Sequence, residues 1–117
     1  MRIINATPHA IALIGRDGLT RIIENTRPPA RIETAHGEEV GEIETIPIFS
    51  APRFLRIANL PEWQPDVVVV VSQLVALAAA VLHPDRCDLL YPATGPADGA
   101  KRTPKGVLAV RRLIRVT

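Results

Sequence analysis

The sequence predicts an α+β domain that is rich in strands and has one main helix, and three observations lead to this prediction. Turn residues, among them 11 prolines in 117 residues, divide the chain into short apolar segments, as is typical of many short strands. Five consecutive valines, 67–71, favour a strand buried on both faces. The Ala- and Leu-rich segment 72–82 has the composition of a helix. We therefore expect a bent, mostly antiparallel sheet or partial barrel with this helix packed on it.

The predicted strands follow the apolar segments in chain order. The first covers 3–6 and is broken at Thr7-Pro8. Two more flank Asp17-Gly18, a hairpin signal because glycine accepts the positive φ that the turn requires. Strands are predicted over 3–6, 10–15, 19–24, 31–34, 39–48, 54–57, 67–71, 89–91 and 107–116. The strand over 39–48 has no cleanly apolar face, which indicates an exposed or edge position.

The main helix has a recognisable beginning and end. Ser72 is the expected N-cap, since its hydroxyl can accept a hydrogen bond from a free backbone N–H of the first turn. Pro84 ends the helix because its ring cannot continue the helical backbone. The residues between them are apolar nearly all round, so we expect this helix to lie between the sheet and a further surface. This pattern favours a homo-oligomer.

Length and composition predict a single cytoplasmic domain covering residues 1–117. A hydrophobic fraction of 47% is ample for one core. Cys87 is the only cysteine, so an intrachain disulfide is excluded and a reducing compartment fits. The N-terminus lacks the apolar run of a signal peptide. The most apolar stretch, 67–82, is shorter than the ~20 residues that a membrane-spanning helix needs. No membrane partner is therefore expected.

Charge is distributed unevenly along a chain of net charge +2. The segment 33–44 holds five glutamates and no Lys or Arg, whereas 101–115 holds six basic residues and no acid. The basic segment could attract anions, or the two segments could lie opposite each other on adjacent strands. Nucleic acid is a minor option, because few aromatic rings are available for stacking and Arg111 and Arg112 would point to opposite faces of a strand.

Three segments resemble a functionally uncharacterised family of small proteins of bacteria and their phages. The segment 5–11 resembles the opening N-x-T-P-H-x-I, 72–76 resembles S-x-L-V-A, and 88–96 resembles D-L-L-x-P-x-T-G-P. The likeness covers about the first fifth and the last two fifths of the chain. It implies a phage-type setting and no particular activity.

The strongest candidate site binds a small anion and requires neither a metal nor another cofactor. A strand leading through Ser72 into a helix presents free N–H groups and the positive end of the helix dipole, which together hold phosphates. The glycine-containing loop after residue 93 and the basic residues beyond it could fold over this point. The predicted ligand-binding residues are Thr7, His9, Ser72, Asp88, Thr94, Gly95, Lys101, Arg102 and Lys105. The alternative is an ordinary helix cap beside a solvated loop.

Other chemistry has weaker support. His9 could contact a ligand or carry a proton, or it could simply hydrogen-bond backbone at the end of a strand. His83 and Cys87 are four residues apart, but Pro84 keeps them from sharing a helix face, so no metal site is predicted. The sequence contains neither a Gly-x-Ser-x-Gly nucleophile motif nor a Walker-type phosphate loop.

The leading hypothesis is a non-catalytic binding protein for a small phosphorylated, nucleotide-like ligand. The resemblance suggests a phage-type protein that sequesters a signal of host defence. One alternative is a protein–protein interaction module or structural phage component, which would use the acidic segment or the apolar helix. A second alternative is a small hydrolase or lyase whose turnover would depend on His9.

Overall fold

The computed structural model describes residues 1–26 and 28–116, which form twelve strands, one α-helix and one short 3₁₀ turn. The strands before the helix are β1 Arg2–Asn5, β2 Ile11–Ile14, β3 Thr20–Ile23, β4 Arg31–Ala35, β5 Glu39–Ile43, β6 Ile46–Phe49, β7 Arg53–Ala58 and β8 Val67–Val70. They are followed by α1 Gln73–Leu82, β9 Leu89–Pro92, the 3₁₀ turn Pro96–Asp98, β10 Lys101–Arg102, β11 Leu108–Val110 and β12 Leu113–Arg115. The prediction of a mixed fold, mostly of strands and with one helix, is confirmed.

The described strands form two four-stranded sheets and two two-stranded ribbons, and they do not close into a barrel. The central sheet has the order β1-β8-β9-β12, in which β1, β8 and β9 run parallel and β12 is antiparallel to β9. The outer sheet has the order β10-β11-β2-β3. Of the eight described strand pairs five are antiparallel, so the single bent sheet we expected is replaced by separate sheets with a parallel centre.

The valine strand β8 lies in the middle of the molecule, as its sequence predicts. Val69 and Val71 belong to the core cluster that includes buried residues of α1, whereas Val70 packs with Ile11 and Ile23 of the outer sheet. This division follows from the alternation of side chains along a strand. All three valines are fully buried, and each such side chain stabilises the fold by about 1.5–3 kcal/mol. The molecule therefore has three layers: the outer sheet, the central sheet, and the helix.

The helix and the first hairpin form where the sequence predicts them. The hydroxyl oxygen of Ser72 accepts a hydrogen bond from the backbone N–H of Val75 at 3.3 Å, and α1 then continues to Leu82. In the hairpin β2–β3, Gly18 adopts φ 81°. Within residues 1–26 and 28–116, no helix has the length and apolar character needed to cross a bilayer.

Two strand predictions are wrong. The segment 39–48 is a hairpin, β5–β6, because Glu44 and Thr45 adopt positive φ values of 49° and 68° and reverse the chain. The segment 107–116 is two strands in different sheets, β11 in the outer sheet and β12 in the central sheet. The break falls at Arg111 and Arg112, which are exposed, directly after the buried Val110. Burying two charged side chains beside Val110 would be energetically costly, so the chain leaves the outer sheet there.

Residues 36–52 form an arm that continues the β4–β7 ribbon beyond the core. At the root of the ribbon, Ile57 and Ala58 are buried against the helix side of the core. Every residue of β5 and β6, by contrast, is exposed. A Cβ on Gly37 would lie 1.8 Å from the carbonyl oxygen of Ser50, so only glycine permits the close approach of the two chain segments where the arm begins.

Candidate functional site

The candidate site is a cavity of about 540 Å³ at the carboxyl ends of the parallel strands. The segments that leave β1, β8 and β9 reach the same edge of the central sheet because those strands run parallel. In open sheets of this kind, ligands bind at the carboxyl ends of the strands. The hairpin β10–β11 of the outer sheet supplies the facing wall. This volume falls within the range of small-molecule sites, about 300–1,000 Å³.

Six of the nine residues predicted to bind the ligand line this cavity, and three do not. Those that line it are Thr7, His9, Ser72, Thr94, Arg102 and Lys105. Asp88, Gly95 and Lys101 lie outside the lining. The lining also includes Gln73 and Leu108, which the sequence did not single out.

The first wall is a turn organised by Asn5, a residue that is only 1% exposed. The Asn5 amide donates to the backbone carbonyls of His9 at 2.9 Å and Ile23 at 3.0 Å. Its Oδ1 accepts from the Thr7 backbone N–H at 3.0 Å. This side chain joins the end of β1 to β3 and fixes the backbone on both sides of Pro8. Asn5 is a positioning residue that sequence reasoning missed, although it opens the N-x-T-P-H segment.

Thr7 and His9 have different positions within this turn. The Thr7 hydroxyl lies 2.6 Å from Asn5 Oδ1 and 2.8 Å from the His9 carbonyl oxygen, so it is engaged inside the turn. The side chain of His9 is exposed at the cavity, and its backbone carbonyl holds the turn. Because the Thr7 hydroxyl is engaged, it is less available for the predicted ligand contact, whereas His9 is an exposed residue of the lining.

The second wall is the beginning of α1. Ser72 caps Val75 through its hydroxyl, and its carbonyl accepts the first helical hydrogen bond from Ala76 at 2.9 Å. The N–H groups of Gln73 and Leu74 precede that bond and lack an intrahelical partner. The first turn contains no acidic residue, so no carboxylate on the helix offsets the positive end of its dipole. This end of the cavity is electrostatically suited to an anion.

The third wall is cationic and is built by the turn between β10 and β11. The Thr103 carbonyl accepts from the Gly106 N–H at 2.8 Å, and the Thr103 hydroxyl accepts from the Val107 N–H at 3.1 Å. Gly106 has φ 81°, which a glycine adopts without strain. Lys105 lies at the third position of this turn, and the Arg102 guanidinium donates to the Gly106 carbonyl at 2.9 Å. The Arg102 guanidinium is thereby held beside the cavity, and the turn places Lys105 in the same lining.

Neighbouring residues of β10 differ in their access to the cavity. Arg102 pairs in register with Leu108, and both line the cavity. Lys101 pairs with Ala109 and lies on the other face, as alternation along a strand requires. Among the described residues that line the cavity, none is acidic. The two cations of the lining therefore act without a neutralising partner in the wall.

Asp88 is buried outside the cavity lining, where it takes part in an ion pair. Its buried carboxylate forms a two-point ion pair with Arg86, with nitrogen–oxygen distances of 2.8 and 2.9 Å. Arg86 also donates to the carbonyl of Pro61 at 2.8 Å. These hydrogen bonds from Arg86 hold the pKa of the Asp88 carboxyl below its ordinary value. The pair ties the loop before β8 to the start of β9.

The loop containing Thr94 and Gly95 is held from the opposite side. The Asp98 carboxylate accepts from the Gly95 backbone N–H at 2.9 Å and forms an ion pair with Arg112. Arg112 thereby holds the pKa of the Asp98 carboxyl below its ordinary value. The Arg112 carbonyl accepts from the Ala93 N–H at 3.0 Å. The connection between β11 and β12, which contains Arg112, therefore positions the loop of Thr94 and Gly95. The sequence pattern did not indicate this role.

The described residues contain no group of three or more His, Cys, Asp or Glu side chains arranged to hold a metal ion. Comparison with known proteins finds no family model, no curated protein and no solved structure that matches this chain.

Proposed function

We propose that this protein binds a small phosphorylated, nucleotide-like molecule in the cavity and does so without catalysing a reaction. The observation that carries the proposal is the convergence of the beginning of α1 with Arg102 and Lys105 around one space. The helix start and the β10–β11 turn that carries both cations come from separate parts of the chain, and each favours negative charge. The described lining offers no carboxylate that would oppose them.

The phosphate would lie at the helix start. The N–H group of Gln73, a residue of the lining, can donate to its oxygens, as at other phosphate sites on helix N-termini. Arg102 can contribute two N–H donors in one plane, and Lys105 a mobile positive charge. His9 supplies a further donor through a ring N–H.

The remainder of the ligand would lie against aliphatic surface. Ile11, Pro92, Val107 and Leu108 contribute to the lining. Ligand sites in proteins combine such apolar walls with a few placed polar groups. A nucleoside has the flat, partly apolar surface that fits this division, which supports a nucleotide over a bare phosphate ion.

The cellular role that we propose for this binding is sequestration of a host-defence signal in the cytoplasm. Its support is that all three segments that resemble the phage-associated family contribute residues to the cavity, namely Thr7, Ser72 and Thr94. A single free cysteine, Cys87, is compatible with a reducing compartment.

Isothermal titration calorimetry with a panel of mono-, di- and cyclic nucleotides tests the proposal. We expect at least one to bind and Arg102→Ala to weaken that binding about tenfold or more, since a hydrogen bond to a charged group contributes ~1.5–3 kcal/mol. Lys101→Ala is the matched control, because it removes the same charge from the neighbouring residue outside the lining. Absence of heat across the panel, or equal losses in both variants, would exclude this site.

The same samples separate binding from catalysis. Chromatography of the bound nucleotide after prolonged incubation should return it unchanged. If a product forms and His9→Ala abolishes its formation, the hydrolase or lyase alternative is correct instead.

A further inference from the structure

The arm, residues 36–52, carries apolar side chains that the core of its own chain does not cover. Ile43 and Ile46 are paired across the hairpin and are 62% and 64% exposed. Ile48 pairs with Gly41, two residues along each strand, and so lies on the same face. The arm therefore presents one apolar face made of three isoleucines, which we call the isoleucine face.

A two-stranded ribbon with such a face is marginal in water by itself. The described hydrogen bonds of the arm join its own strands, including Ser50 N–H to the Glu38 carbonyl at 2.8 Å and Glu38 N–H to Ser50 Oγ at 2.9 Å. About eight residues separate its root from its tip, so it reaches about 25 Å at ~3.3 Å per residue. The molecule is correspondingly long, 55 Å in its greatest extent.

The arm is also acidic, and the charge that would complement it lies elsewhere in the same chain. Residues 36–52 contain four glutamates and no Lys or Arg, while 101–115 contain six basic residues. The two segments do not lie on adjacent strands: β5 pairs with β6, and the strands of the basic segment pair with β2 and β9. In the described residues, none of the arm glutamates forms an ion pair.

From these observations we propose that the arm docks on the basic C-terminal segment of a second copy of this chain. The isoleucine face becomes covered in that complex. Glu42, on the opposite face of the ribbon, and Glu44, in the turn at its tip, are then close enough to attract arginines such as Arg111 and Arg115, which are exposed in the single chain. Pairing of two arms with each other is disfavoured, because it would place like charges together. The interaction is reciprocal, since each copy provides one arm and one basic segment.

Sedimentation velocity over a concentration series tests this proposal through two charge-reversed variants. We expect the unmodified protein to sediment well above the 12.7 kDa of one chain. Glu42→Lys/Glu44→Lys and Arg111→Glu/Arg115→Glu should each be predominantly monomeric, with association weakened about tenfold or more. Mixed in equal amounts, the two variants should associate again, because each arm then meets a segment of opposite charge.

The isoleucine face has its own control. Ile43→Ser/Ile46→Ser should lose association, while Leu19→Ser, which alters an apolar residue 71% exposed on the β2–β3 hairpin, should retain it. Circular dichroism establishes that each variant is folded. A monomeric unmodified protein at all concentrations, a mixture that stays monomeric, or unimpaired association of Ile43→Ser/Ile46→Ser would overturn the proposal.

Discussion

Replacing Asn5 by alanine should destabilise the whole fold, because this side chain connects three segments from the interior. Asn5→Ala removes the acceptor of the Thr7 backbone N–H and a donor to the Ile23 carbonyl. The Thr7 hydroxyl can still donate to the His9 carbonyl, 2.8 Å away, so that pair survives. Two buried polar groups lose a partner.

The magnitude follows from those two groups. A buried donor or acceptor left without a partner costs ~1–3 kcal/mol, so we expect the free energy of unfolding to fall by about 2–6 kcal/mol. Asn5→Asp retains the oxygen acceptor but cannot donate while ionised, and it buries a charge; it should destabilise at least as much.

Urea denaturation followed by circular dichroism measures the effect, with the slope of the transition checked for constancy. Asn25→Ala is the control, because Asn25 is less buried than Asn5 and its amide donates to the carbonyls of Pro8 and Thr26 at 3.2 and 3.3 Å. We expect this variant to lose less than about 1 kcal/mol of unfolding free energy. Equal stability of Asn5→Ala and the unmodified protein would refute our reasoning on the turn.

Three further predictions concern other parts of the fold. The pKa of Asp88 is lowered in the folded state, so its ion pair should stabilise the protein at pH values above its ordinary pKa of 3.8. That contribution should be lost as the pH falls through the lowered pKa. Asp88→Asn should therefore reduce the free energy of unfolding by ~2–3 kcal/mol at pH 7 and flatten the acid side of a stability–pH curve. Ser72→Ala removes the helix cap and should lower the free energy of unfolding by ~1 kcal/mol, with Ser50→Ala in the exposed arm changing it less. Gly37→Ala should disturb the arm and spare the core, which amide hydrogen exchange would show as faster exchange confined to 36–52.

The core could be predicted from sequence because its signals are local. The valine run, the Ser72 cap and the Asp17-Gly18 turn each act within a few residues. The arm could not be predicted in the same way: Glu44 and Thr45 carry side chains that rarely adopt positive φ, so their sequence gives no sign of a reversal.

Most residues of the candidate site could be named from the sequence, but their assembly around one cavity could not be predicted. The helix start could be identified from the capping residue Ser72, and the cations from the basic residues themselves. Their meeting with His9 depends on the parallel pairing of β1 with β8, between residues far apart in the chain. Which of Lys101 and Arg102 faces the cavity depends on the register of β10 against β11, which no local pattern specifies.

The crossing of the chain between its two sheets has a consequence for the proposed ligand binding. The cavity lies between the central and outer sheets, and two short connections, 6–10 and 111–112, join those sheets at this end. Asn5 braces the first connection and Arg112 the second. Both walls are therefore braced within the chain itself, so the ligand binding proposed above would require little ordering of this end of the molecule.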